Sequence, residues 1–97
     1  MRGSESPRTR LHALSQLARL YADLDPGRVG ATLDEAIDLM PSVDVANPHG
    51  AVILAVLRRG DAAQRARVQP FLERLDLERV APKLRADLRA ALEAEGT

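Results

Sequence analysis

Between Pro7 and Leu24 apolar side chains return every three or four residues, at Leu11, Leu14, Leu17, Ala18, Tyr21 and Leu24, and Leu20 widens the stripe. This is the period of an α-helix with one buried face, here about 17 residues long. Val29, Leu33, Ala36, Ile37 and Met40 repeat the spacing and predict a second helix over residues 26–40, closed by Pro41. Asp34, Glu35 and Asp38 fall on its other face, expected to be solvated. Residues 48–59 include seven unbroken apolar positions, Ala51 to Leu57, and predict a third helix buried between others. A fourth is predicted over residues 61–75, kinked near Pro70 because proline removes a helical hydrogen bond. The fifth starts at Leu77 or Pro82 and reaches Glu95, with Leu84, Leu88, Ala91 and Leu92 inward.

Three of these starts are written alike, as a capping side chain followed by proline: Ser6-Pro7, Asp25-Pro26 and Asn47-Pro48. The side-chain oxygen caps orphan amides, and proline suits the first turn because its missing N–H had no partner there. Gly60 suits a left-handed C-terminal cap, and Asp61 with Gln64 three residues on predicts a capping box that restarts the chain at once.

The pattern also repeats. HALSQLARL, residues 12–20, aligns with HGAVILAVL, residues 49–57, at an offset of 37, matching His12 with His49, Leu17 with Leu54, Ala18 with Ala55 and Leu20 with Leu57. LDEAIDL, residues 33–39, aligns with FLERLDL, residues 71–77, at an offset of 38. Two blocks that agree on one period predict a repeated helix pair. The expected fold is all-α with five helices: two stacked helical hairpins, about 6–41 and 47–77, plus a C-terminal capping helix over about 78–95. Residues 1–5 are expected to be a disordered lead-in.

LARLYADLDPGRVGATLDEAIDLMP and LAVLRRGD resemble degenerate tetratricopeptide repeats, stacked helix hairpins that usually bind peptide segments of other proteins. The resemblance covers roughly 11–77. It places Leu17, Ala18 and Tyr21 on first-helix positions, Ala36 and Pro41 on second-helix and closing positions, and Gly60-Asp61 on the turn. The unit here is longer than the family's ~34 residues, Asp25-Pro26 stands where glycine is preferred, Pro70 interrupts the fourth helix, and the second unit lacks a closing proline.

Composition narrows the function. A chain of 97 residues makes one domain, and folding at this length removes about two-thirds of the unfolded surface from water. Only Tyr21 and Phe71 are aromatic, so the core is aliphatic. The absence of cysteine excludes disulfides, thiolate nucleophiles and the usual structural zinc sites, and suits a reducing cytoplasm. Seven apolar residues fall far short of the roughly 20 of a membrane helix, and MRGSESPRTR has no signal-peptide core. Net charge is zero but uneven: residues 1–22 carry four arginines against Glu5, and residues 23–57 carry six acids against Arg28. A dipolar chain of this kind is a poor polyanion binder.

The paired histidines are the sharpest candidates. Stacked hairpins would set His12 and His49 on neighbouring first helices with axes about 8–10 Å apart, and the resemblance to tetratricopeptide repeats implies that Arg19 and Arg59 lie near them on one concave face. Two imidazoles without a phased carboxylate are too few for a metal, whereas four such groups match a carboxylate-rich peptide. Asp34 and Asp38 point away from the apolar stripe, and no serine has a neighbouring histidine or nucleophile elbow. No catalytic constellation, cofactor site or metal site results. The expected function is a non-catalytic adaptor that binds a peptide or helix of a partner, or a second copy of itself through the apolar third helix. The alternative is a DNA-binding regulator with a helix-turn-helix at about 51–69, its Gln64, Arg65 and Arg67 facing bases, although Arg59, Asp61 and Pro70 break that motif. The triplet RGD, joining two helices, does not sit on an exposed loop as an adhesion tag would.

Overall fold

Ser6 opens α1 (Pro7–Leu24) as its pattern requires, its hydroxyl accepting the Thr9 amide at 3.2 Å. The structure, a computed structural model, describes residues 6–95, and the lead-in expected at 1–5 lies outside them. Four further α-helices follow, α2 (Val29–Leu39), α3 (Ala46–Arg59), α4 (Ala62–Arg74) and α5 (Pro82–Glu95). The described residues hold no strand, so the fold is all-α with five helices. None of these helices is long and apolar enough to cross a membrane.

The second and third starts depart from expectation, each because a side chain has a better partner than the cap. Asp25 turns its carboxylate to Arg28 Nε at 3.0 Å, so Pro26–Arg28 wind as a 3-10 turn before α2 begins. The Arg28 guanidinium also lies 5.7 Å from the centre of the Tyr21 ring, which ties this turn to the end of α1. Asn47 does not cap α3. The helix begins two residues earlier than expected, at Ala46, behind an extended Val45 with no side-chain cap, and Asn47 Oδ1 instead accepts the amide of Ala81 at 2.8 Å, immediately before α5.

The α3–α4 corner holds the predicted capping box complete: the Gln64 backbone N–H donates to Asp61 Oδ1 at 2.8 Å and the Asp61 backbone N–H to Gln64 Oε1 at 3.1 Å. Gly60 is not left-handed. Its φ of −82° and ψ of 167° are extended, and glycine is needed here for space, because a Cβ would stand 2.8 Å from the Val56 carbonyl oxygen. α4 runs on through Pro70 to Arg74, and a 3-10 turn at Leu77–Arg79 precedes α5, so Pro82 rather than Leu77 starts the last helix.

α3 touches the other four helices, as its apolar circumference demands, with Val52, Ile53 and Val56 fully buried. α1 pairs with α2 and α3 with α4, while α1 also packs on α3 and α2 on α4, so the hairpins lie side by side. α5 packs on α3, and Gly50 admits it: a Cβ there would meet Leu84 at 3.2 Å and Leu88 at 3.4 Å. The other four helices enclose most of α3, and its Ala51, Leu54 and Ala55 border a surface groove.

The acidic face of α2 is exposed, as its spacing predicts, yet it also carries contacts to α4. Buried Gln64 donates to the Gly30 carbonyl at 3.0 Å and to Asp34 at 2.9 Å, and Arg67 pairs with Asp34 at 3.4 Å and with Asp38. Both acids thus bind α2 to α4.

Candidate functional site

Two of the surface grooves are lined by residues that the sequence singled out. The smaller, about 300 Å³, runs between α1, α3 and α5. Ala51, Leu54 and Ala55 of α3 and Leu84 of α5 form its floor, and Arg19, Arg59 and Lys83 stand on its rim beside Asp87. Each cation owes its place to local structure. Arg19 follows fully buried Ala18 and is thereby turned outward. Arg59 closes α3, where a cation gains from the negative end of the helix macrodipole. Lys83 sits in the first turn of α5, where it adds to the positive end of that helix. None of the three makes an ion pair among the described residues. Ser15 also lines this groove, but its hydroxyl donates to the His12 carbonyl at 2.7 Å.

The larger groove, about 710 Å³, lies between the segment after α2 and the end of α4. His49 and Phe71 meet here edge to face, ring centres 5.5 Å apart, and His49 Nε2 donates to the Met40 carbonyl at 2.9 Å. The charges around it cancel, Arg74 and Arg79 standing against Asp44 and Asp76. Its histidine is occupied in holding α3 to the turn that ends α2. The smaller groove is therefore the better site, because its three cations make no ion pair among the described residues and outnumber Asp87.

The expectation of one face carrying His12, Arg19, His49 and Arg59 is corrected accordingly. Arg19 and Arg59 share a groove; His49 lines the other; His12 is exposed on α1 and lines neither. Lys83, Leu84 and Asp87 were not foreseen, since α5 lies outside the repeated units and the offset of 37 carries no information about it. The side chains of the helix-turn-helix alternative are engaged elsewhere: Gln64 and Arg67 hold α2, and Arg65 reaches the Leu57 carbonyl at 3.4 Å. In the triplet RGD, Asp61 is the α4 cap and Arg59 lines the smaller groove. No group of three His, Asp or Glu side chains among the described residues could hold a metal ion.

No protein-family model, curated protein or solved structure matches this chain.

Proposed function

We propose that this protein is a non-catalytic docking module that takes an acidic, apolar-faced peptide or helix of a partner protein in the groove between α1, α3 and α5. The observation that carries the reading is the convergence of Arg19, Arg59 and Lys83 around an aliphatic floor, with no acid paired to any of them among the described residues. An apolar floor supplies affinity once desolvated, and rim charges supply orientation and a faster encounter. The likeness to tetratricopeptide hairpins supports the same class, and we read the two units as degenerate members of it. The lack of cysteine suits a reducing compartment, so we place the module in the cytoplasm.

The test is a titration of a fluorescent helical peptide with leucines along one face and glutamates flanking them. Wild type binds it and the Arg19→Glu/Arg59→Glu variant, still helical by circular dichroism, binds at least about tenfold more weakly, a change of about 1.4 kcal/mol. Binding to wild type weakens as salt screens the pairs. Equal affinity for both proteins would refute the groove, and tighter binding of a DNA duplex than of the peptide would favour the regulator.

A further inference from the structure

α1 is apolar on two sides. Leu11, Leu14 and Ala18 are buried against the rest of the protein, yet Leu17, Leu20 and Leu24 on its far side are 37%, 54% and 79% exposed. With half-buried Ala13 they form a stripe spaced four, three and four residues apart, the seam spacing of a coiled coil. Stacked helical units need polar outer faces at their ends, and α5 supplies a cover for α3 where the outer stripe of α1 stays exposed among the described residues.

We infer that this stripe is the contact between two copies of the chain, with their α1 helices packed antiparallel about a two-fold axis. The spacing is symmetric about its midpoint, between Ala18 and Arg19. In an antiparallel pair Leu17 therefore meets the partner's Leu20, and small Ala13 meets the partner's Leu24, so every position of the stripe is filled. A parallel pair would set Ala13 against Ala13 and leave a gap. Charge selects the same direction. Arg8 and His12 stand exposed near the start of α1 and Asp23 stands exposed near its end, and none of the three is ion-paired among the described residues. Antiparallel packing sets His12 level with the acidic end of the other copy, at Asp23 and Asp25, whereas parallel packing stacks like on like. A two-fold contact is self-complementary and closes at two copies. Arg19 lies one residue, about 100° around the helix, from Leu20, so the docking groove stays open and this inference does not rest on it.

Sedimentation velocity of the full chain, from micromolar to near-millimolar concentration, tests the pairing. The expected result is a monomer–dimer equilibrium, with Leu20→Glu raising the dissociation constant at least about tenfold while far-ultraviolet circular dichroism is unchanged. A wild-type chain that stays monomeric throughout overturns the proposal and leaves the stripe to another protein. A dimer unaffected by Leu20→Glu overturns it as well. Direction is read from the double variant Ala13→Cys/Leu24→Cys, which is clean because the chain has no cysteine of its own. Air oxidation yields a covalent dimer whose peptide map links position 13 of one copy to position 24 of the other. Links of 13 to 13 and 24 to 24 would overturn the antiparallel arrangement.

Discussion

Asn47, in the first turn of α3, accepts the backbone amide of Ala81 at 2.8 Å and so prepares the start of a helix 34 residues further along the chain. Three residues on, Gly50 leaves the space that Leu84 and Leu88 occupy. The opening of α3 is thus the seat of α5, and through Ala81, Lys83 and Leu84 it shapes one wall of the docking groove.

Asn47→Ala removes that acceptor and is expected to cost about 1 kcal/mol, the usual value of a lost cap. The measurement is the urea midpoint of the two proteins. Asn47→Asp keeps the oxygen and should remain within a few tenths of wild type, so an equal loss in both variants would deny the amide bond its role.

Gly60→Ala probes the α3–α4 corner. The added methyl would stand 2.8 Å from the Val56 carbonyl oxygen and 2.9 Å from Val56 Cγ1, and the carbonyl, being backbone, has no room to give. The expected loss is about 1–3 kcal/mol, larger than the entropy alanine removes from the unfolded chain. A variant as stable as wild type would show that the corner opens freely.

Gln64 and Arg67 both hold α4 to α2, but they do so in different surroundings. Gln64 is 4% exposed, and both ends of its amide are bonded. Gln64→Ala strands the partners it satisfies and is expected to lose about 2–3 kcal/mol. The Arg67 side chain is 43% exposed, so solvent screens its pairs with Asp34 and Asp38, and Arg67→Ala should lose no more than about 1 kcal/mol. Chemical denaturation of the two variants side by side checks the order.

His49→Ala separates the two grooves. Loss of the Met40 bond and the Phe71 contact should lower stability by about 1–2 kcal/mol, while affinity for the groove peptide stays at the wild-type value. A fall in peptide affinity without a fall in stability would return the histidine to the binding face.

What could be read from the sequence follows the range of each interaction. The Ser6 cap and the Asp61–Gln64 box join residues three apart, so both were legible, as was the apolar circumference that buries α3. Asn47 carries the same local signature as Ser6, yet its partner lies across the fold, and no local rule distinguishes the two. Asp34 and Asp38 suffered likewise: spacing shows that they avoid the apolar stripe but not that Arg67 waits 33 and 29 residues away. The candidate site divides along the same line. Arg19 and Arg59 came from the repeated first helices, whereas Lys83 belongs to a helix with no counterpart in the repeat. His12 and His49 match in register, but a repeat fixes the backbone more firmly than it fixes what each side chain touches.

The contact between Arg28 and Tyr21 has an optical consequence. The chain has one tyrosine and no tryptophan, so its tyrosine emission comes wholly from the corner where α1 gives way to α2. The ring lies beside a guanidinium and one turn of helix before Leu24, at the edge of the exposed stripe. Emission thus reports on a single place, while far-ultraviolet dichroism reports on all five helices. A melt followed by both signals shows whether the corner opens before the rest of the protein, without an added dye.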